Sequence, residues 1–310
     1  MNIYITDPIH DLPLSKAKNS GKVILWSDQE INDWSDADAI IVRTNKVTKD
    51  KMLKSPHLKI IAKHGIGTDN IDLEAAKELG IIVTNTPQAN IESVAELAVS
   101  LILSCARNIP KAFGMVKEGI EMLAPKELTG IELYGKTVGL IGLGKIGLRV
   151  GTILRDGFNM NIVGYDPYLS FDKALELGVK KYDNLKDMLS ISDTISISVP
   201  LLPSTINLIS KDEFDVMKST AILVNTSRGK IVNEADLYEA LKSKKIKAAA
   251  LDVFEIEPPL RENPLFSLDN FIGTPHIGAA TEEALVNMGQ TAVDEIIRVR
   301  DGLEPLYMVK

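Results

Sequence analysis

Three groups of residues in this chain have the types and spacing to do chemistry. The first is the glycine triplet Gly142-Leu143-Gly144-Lys145-Ile146-Gly147, which follows the apolar run Val138-Gly139-Leu140-Ile141. The first glycine permits a sharp turn from strand to helix. The second lets backbone approach a pyrophosphate, and the third lets the helix pack close to a sheet. Unpaired N–H groups at the helix start, Lys145 and Ile146 among them, then face the phosphates with a partial positive charge. The second is Asp166, 19 residues after Gly147, at the end of a strand-like run over 162–165. A carboxylate there binds the ribose hydroxyls of an adenosine and repels a 2′-phosphate, so the pattern predicts NAD over NADP. A glycine triplet alone often marks only a tight turn; strand, triplet, helix and terminal acid together predict a dinucleotide site.

The third group is Arg228, Glu257 and His276. Each follows a strand-like run, and open α/β sheets bind ligands at the carboxyl ends of their strands. Taken singly, such an arginine can simply pair with an acid, an acid in a loop is usually solvated, and a lone histidine is more often structural than catalytic. Together they offer a planar guanidinium for a carboxylate. They also offer an imidazole for proton transfer near neutral pH, with a carboxylate to fix its tautomer.

The elements that must position these groups alternate along the chain. Short apolar runs at 3–5, 23–25, 39–42, 60–62 and 81–83 read as buried strands, with helical patterns between most of them. A long helix follows, with Asn90 as N-cap, Val94, Leu97, Ala98, Leu101 and Ile102 on one face, and an end near Asn108-Ile109-Pro110. Six more strands are expected, at 138–141, 162–165, 194–199, 221–224, 248–251 and 270–272, enough for one dinucleotide-binding domain. A last helix over about 281–300 comes after that domain has closed, so it is expected to pack back on the first. The expected class is therefore α/β, with a Rossmann dinucleotide-binding domain over 101–281. A discontinuous, flavodoxin-like α/β substrate domain is expected over 1–100 and 282–310. Crossings near 90–108 and 276–285 would form a hinge over a cleft. The stretch 111–134 is less regular and reads as an arm, an interface or a surface excursion.

Composition narrows the function classes. The chain has 310 residues, is 45% hydrophobic and 25% charged, and carries a net charge of −7. That balance suits a soluble globular protein and argues against a nucleic-acid or anionic-membrane surface. No basic patch has interleaved aromatics, and no apolar stretch is long enough to span a bilayer. The N-terminus reads as a core strand and has no secretory signal. Cys105 is the only cysteine, in an apolar helical stretch, so it is expected to be a small core residue in a reducing cytoplasm. No metal is expected.

Further motifs make the pattern specific. They include His64-Gly65-Ile66-Gly67-Thr68-Asp69-Asn70-Ile71-Asp72, Thr84-Asn85-Thr86-Pro87, Val94-Ala95-Glu96 and Asn225-Thr226-Ser227-Arg228-Gly229. Leu251-Asp252-Val253-Phe254-Glu255-Ile256-Glu257-Pro258 and Pro275-His276-Ile277-Gly278 complete them. Over nearly its whole length the chain resembles the D-isomer-specific 2-hydroxyacid dehydrogenases, and most closely their phosphoglycerate dehydrogenase branch. The resemblance implies that Arg228 holds the substrate carboxylate and polarises the 2-oxo oxygen. His276 would protonate that oxygen while the nicotinamide delivers hydride, and Glu257 would hydrogen-bond His276. Asp252 would orient the nicotinamide. Pro200, Thr205, Thr226 and Gly278 would line the cofactor beside Gly142, Gly144, Lys145, Ile146, Gly147 and Asp166. Backbone N–H groups of Gly65, Ile66 and Gly67 would receive the substrate carboxylate, although Gly67 also reads as part of an ordinary strand-to-helix turn. Arg43 would face the substrate.

The implied reaction is the NAD-dependent interconversion of a small 2-hydroxy acid and its 2-oxo acid. The leading pair is 3-phosphoglycerate and 3-phosphohydroxypyruvate, with Arg43, Lys46, Lys63 and Arg107 as cations for a second anionic group; all four also read as solvated surface charges. The alternatives are hydroxypyruvate, glyoxylate or a branched 2-oxo acid. Formate dehydrogenases share the pattern but pair their histidine with glutamine. Corepressors that respond to NADH share it as interaction proteins. The family implies a homodimer contacting through the cofactor domain, with 111–134 a candidate. Two departures stand out. Ser198-Val199-Pro200-Leu201-Leu202-Pro203 replaces the family's His-x-Pro-Leu-Thr-Pro, and Arg43-Thr44-Asn45-Lys46 is one residue shorter than usual. The chain stops soon after Pro305, so serine feedback through a C-terminal regulatory domain is not expected.

Overall fold

Short aliphatic runs build two all-parallel sheets in the computed structural model, which describes residues 1–119 and 126–309. The first sheet holds β1 (Asn2–Ile5), β2 (Lys22–Leu25), β3 (Ala39–Val42), β4 (Ile60–Lys63) and β5 (Ile82–Thr84). Their order is β2-β1-β3-β4-β5, the flavodoxin-like arrangement. Successive residues of a strand point to opposite faces. Ile3, Ile5, Ile41 and Ile60 therefore pack with Ala292, Val293 and Ile296 of the helix Glu282–Arg300. Tyr4, Ile40 and Ile61 pack on the other side with Ala75 and Ala76. The helix Glu282–Arg300 meets the helix Asp11–Ser20 so closely that a Cβ on Gly289 would lie 2.4 Å from Pro13 Cγ. This packing gives the first compact unit two chain segments, 1–91 and 279–310.

The second unit spans 92–278. It holds β6 (Thr137–Ile141), β7 (Asn161–Tyr165), β8 (Lys180–Tyr182), β9 (Thr194–Ile197), β10 (Ile222–Asn225), β11 (Ala248–Leu251) and β12 (Phe271–Gly273). The order β12-β11-β10-β9-β6-β7-β8 is the doubly wound Rossmann order with a seventh strand at one edge. It reverses between β6 and β9, the topological switch point at which such sheets bind ligands. Val138 and Leu140 of β6 face a core shared with Leu101, Ile102 and Cys105, whereas Ile141 faces the core of Met188, Phe214 and Leu237. Burial pushes the Cys105 thiol up to about 12, so it packs as an inert apolar group.

Four features differ from the expectations. The strand β8 is additional. A helix, Ile109–Lys117, occupies the start of the stretch read as irregular, with Pro110 in its first turn, where a missing N–H costs nothing. Residues 120–125 of the expected contact segment lie outside the described residues. Asn90 does not cap the long helix Ile91–Ala106 with its side-chain oxygen, which is buried without a donor. The unit boundaries fall at 91/92 and 278/279 rather than 100/101 and 281/282. A cut after residue 100 would divide a helix whose Ala95, Ala98, Leu101, Ile102 and Cys105 all pack into one core. Among the described residues no helix is long and apolar enough to cross a membrane.

Candidate active site

At the carboxyl end of β6 the chain turns on Gly142, whose φ of 92° lies in the region that favours glycine. A Cβ there would lie 2.6 Å from the Ser198 carbonyl oxygen at the end of β9, and one on Gly147 would lie 2.1 Å from the Gly142 oxygen. These two glycines are fixed by close approach within the protein. Around Gly144 a Cβ would meet nothing within 4 Å. Gly144 is the N-cap of the helix Lys145–Phe158 and makes no side-chain cap bond. The N–H groups of Lys145, Ile146 and Gly147 thus open the helix without intrahelical acceptors.

Asp166 follows β7 directly. One of its oxygens accepts from Leu143 N at 3.0 Å and the other from Tyr168 N at 2.9 Å, which holds the carboxylate beside the glycine loop. Each oxygen retains a lone pair for another donor. Among the described residues, two buried hydroxyls at neighbouring strand ends, Ser198 Oγ and Thr226 Oγ1, have no protein partner. Open backbone at Gly144, an uncapped helix start, a poised carboxylate and orphaned hydroxyls fit a dinucleotide. Ser198 was not among the expected cofactor residues; a polar residue at the end of an apolar strand was the available signal. Thr205 spends its hydroxyl on its own loop, donating to the Pro200 oxygen at 2.7 Å and accepting from Leu202 N at 2.8 Å.

The three polar residues lie at the ends of adjacent strands in the same unit. After β10, Asn225 Nδ2 donates to the Arg228 oxygen at 2.9 Å, and its Oδ1 accepts from Ser227 N at 3.0 Å. The Ser227 hydroxyl donates to the Val199 oxygen. Arg228 Nη1 donates to the Ser227 oxygen at 2.7 Å. Gly229 must be glycine because a Cβ would lie 1.8 Å from the Phe254 oxygen. That contact joins the Arg228 loop to the segment carrying Glu257, whose Oε1 accepts from Phe254 N at 3.1 Å. Glu257 Oε2 lies 2.7 Å from His276 Nδ1. Among the described residues no protein group engages His276 Nε2, and the ring is half exposed. Burial acts to raise the Glu257 pKa. The hydrogen bond and charge of His276, the Phe254 N–H and the nearby Arg228 guanidinium outweigh it and hold the carboxyl below its usual value.

Asp252 is 1% exposed and organises the histidine loop. Its Oδ1 accepts from Thr274 Oγ1 at 2.7 Å and Ile277 N at 2.8 Å, its Oδ2 from Gly278 N at 2.8 Å, and its backbone oxygen from His276 N at 2.8 Å. Both Asp252 and the Gly278 N–H therefore make internal contacts, where the resemblance implied cofactor contacts. The carboxylate fixes the loop conformation in which His276 takes a φ of 54°.

In the first unit, Gly65 has a φ of 140°, and its N–H donates to Thr86 Oγ1 at 3.1 Å. This removes one of the three expected backbone donors. Among the described residues, the N–H groups of Ile66 and Gly67 have no protein acceptor. Asn85 Nδ2 braces the loop by donating to the Ile66 oxygen at 2.8 Å. The Arg43 turn is clamped by Asp7, which accepts from Arg43 N at 2.8 Å and from Thr44 N at 3.1 Å. Burial favours the neutral acid, but the Thr44 hydroxyl, the Arg43 N–H and the Thr6 hydroxyl together hold the Asp7 carboxyl below its usual value. Asp7 was overlooked in the sequence; an acid just beyond the first apolar run was its signal. The Lys63 ammonium, expected to face an anion, binds the Arg43 oxygen and, at 2.6 Å, Asn70 Oδ1. Arg107 is exposed on the second unit.

The chain has relatives among known proteins. Residues 99–278 match the family model described as D-isomer specific 2-hydroxyacid dehydrogenase, NAD binding domain. The chain is 46% identical to the D-3-phosphoglycerate dehydrogenase of Methanocaldococcus jannaschii, over 97% of its own length and 58% of that protein's. It thus spans little more than half of that relative. It is 42% identical to the hydroxypyruvate reductase of Thermotoga maritima, over 96% of this chain and 97% of that one. The crystal structure of D-lactate dehydrogenase from Aquifex aeolicus, complexed with NAD and lactic acid, superposes with a TM-score of 0.86. That match has 30% identity and covers 97% of this chain and 96% of the other.

Proposed function

Since the chain belongs to the D-isomer specific 2-hydroxyacid dehydrogenase family, we propose that it is an NAD-dependent oxidoreductase interconverting a small 2-hydroxy acid and its 2-oxo acid. The observation that carries the proposal is the pair Glu257–His276, 2.7 Å apart, with the Arg228 charge beside it. Bound NAD or NADH accepts or supplies the hydride. The protein's own groups do the rest. Arg228 binds the substrate carboxylate through its planar fork. In reduction, His276 Nε2 donates a proton to the 2-oxo oxygen; in oxidation, the neutral ring takes it back. Glu257, kept ionised, holds the Nδ1–H and so leaves Nε2 for the substrate. In the first unit, the N–H groups of Ile66 and Gly67 are suited to an anionic group.

For the substrate we favour 3-phosphoglycerate and 3-phosphohydroxypyruvate, supported by the 46% identity to a phosphoglycerate dehydrogenase. Hydroxypyruvate is the second reading. The internal engagement of Lys63, which leaves fewer cations for a phosphate, and the 42% identity to a hydroxypyruvate reductase favour it. Initial rates of NADH oxidation with 3-phosphohydroxypyruvate, hydroxypyruvate, glyoxylate, pyruvate and 2-oxoisocaproate decide between them. A clear kcat/KM preference for the phosphorylated acid is expected. Preference for hydroxypyruvate would reassign the substrate, and inactivity with every acid would remove the enzyme reading.

Asp166→Ala is expected to reduce the NAD-over-NADP preference by about tenfold or more, because hydrogen bonds to a charged group contribute roughly 1.5–3 kcal/mol. The ratio of kcat/KM for the two cofactors measures it, and an unchanged ratio contradicts the ribose assignment. A homodimer is proposed through the second unit. Ile109, Phe113 and Val116 share a face of the helix Ile109–Lys117 and are 54%, 69% and 76% exposed. Light scattering should give twice the chain mass for the wild type and a shift toward monomer for Phe113→Asp. A wild-type monomer at all concentrations ends this proposal.

A further inference from the structure

The second unit also carries a cavity of about 450 Å³, between the helix Glu234–Lys242 and the segment 255–265. Its wall is mainly apolar, with Tyr238, Ile256, Leu260 and Leu265 prominent. Ile256 and Leu260 are exposed, so a ligand that covered them would remove apolar surface from water. Four carboxylates stand in the same wall, Glu234, Glu239, Glu255 and Glu262, and no lysine or arginine lines it. Two of them are used internally. Glu234 accepts from Glu255 N at 2.6 Å and from Asn263 Nδ2 at 2.7 Å, and Glu255 accepts from Glu234 N at 3.1 Å. The side chains of Glu239 and Glu262 make no hydrogen bond or ion pair among the described residues. Lys242, on the same helix as Glu239, lies over the Tyr238 ring at 5.2 Å, and Arg261 stands in the chain between Leu260 and Glu262 without lining the cavity.

An apolar wall with uncompensated carboxylates in it selects for charge as well as shape. Glu239 and Glu262 are exposed and hydrated, so an anion would be repelled, whereas a cation would gain an attraction that a neutral apolar molecule lacks. We propose that this cavity is a second binding site, for a small amphipathic cation: a primary amine or guanidinium carried on an aromatic or branched aliphatic body.

Its position couples it to the candidate active site. Glu255 and Ile256 connect Phe254 to Glu257, and the Phe254 N–H holds the Glu257 carboxylate that pairs with His276. On its other side Phe254 abuts Gly229, next to Arg228. An occupant pressed against Ile256 bears on the segment that sets the Glu257–His276 pair. This coupling rests on the proposed chemistry of that pair, whereas the binding does not.

Phenethylamine is the probe, with phenethyl alcohol and phenylacetate as controls of equal size, titrated calorimetrically into the full chain. The amine should bind at least tenfold more tightly than the alcohol, and phenylacetate should not bind. The double variant Glu239→Gln, Glu262→Gln should bring the amine to within threefold of the alcohol. Leu260→Lys, at an exposed position that spares the fold, should abolish amine binding by placing a cation in the wall. No amine binding, equal binding of amine and alcohol, or unchanged amine binding in the double variant overturns the site. These outcomes are readable even if no oxo acid is turned over. In an active preparation, saturating phenethylamine should change kcat at least twofold in the wild type and not in the double variant. An unchanged wild-type kcat overturns the coupling and leaves the roles of Arg228, Glu257 and His276 standing.

Discussion

His276→Ala is expected to lower turnover by at least about 10²-fold while NAD is still bound, the size of effect that follows loss of a positioned general acid. The geometry separates the chemical role of this residue from its structural one. Its backbone is held by other groups: Asp252 accepts from His276 N, Ile277 N and Gly278 N, and Thr274 adds a fourth bond. Removing the imidazole leaves all four in place. The φ of 54° is mildly unfavourable for alanine and well tolerated by asparagine. His276→Asn therefore keeps the loop and still lacks a proton donor of suitable strength. Both variants should lose turnover alike, with an NAD Kd within a few-fold of wild type. Near-normal turnover in either would remove the proton-transfer assignment. Loss only in the alanine variant would make the residue a structural one.

Every strand but β8 was legible because buried parallel strands are near-continuous apolar runs, and those runs lie close to the expected places. β8 was missed for the same reason, since Lys180-Lys181-Tyr182 contains no such run. It is an edge strand whose lysines lie over aromatic rings, Lys180 over Tyr182 and Lys181 over Phe171, instead of entering a core. The helix Ile109–Lys117 was hidden by a proline that reads as a stop from one side and as a first turn from the other. It buries none of its residues, so its apolar face gave no inward periodicity to detect.

In the site, the glycine loop was legible because Gly142 and Gly147 answer local backbone demands and Gly144 leaves its backbone open. The pairing of Glu257 with His276 was suggested by their chemistry and assigned through resemblance, since nothing in the two residues alone specifies a contact across 19 positions. Asp252 and Asp7 show the limit more sharply. Each is an acid at a strand end, and its work is to gather backbone N–H groups from a segment distant in sequence. Such bonds depend on the path of the main chain, which residue type does not disclose.

Between pH 7 and pH 4 the first unit is expected to lose about 3 kcal/mol of stability through His64 alone. This residue follows β4, is 2% exposed, and among the described residues has a hydrogen-bond partner on neither ring nitrogen. Burial, and then the Arg43 charge, push its pKa down from 6.5 to about 4. Its own carbonyl, that of Leu285 and the Asp7 carboxylate favour the charged form less strongly, without a bond of good geometry. The sign follows from proton binding. Above pH 6.5 the ring is neutral in folded and unfolded chains, and nothing is lost. As pH falls from 6.5 toward 4 the unfolded chain takes up a proton that the folded chain refuses, so stability declines until the buried ring also titrates. His64→Leu keeps a side chain of similar bulk and replaces an unpartnered polar group with an apolar one, which is close to neutral or stabilising at pH 7. Trp26 and Trp34, the two tryptophans of the chain, both belong to the first unit, so their fluorescence during urea unfolding reports on it. The stability difference between wild type and variant should widen steadily from pH 6.5 to 4 in favour of leucine. Parallel stability curves across that range would show that His64 titrates alike in the folded and unfolded chains, and that its burial does not govern acid sensitivity.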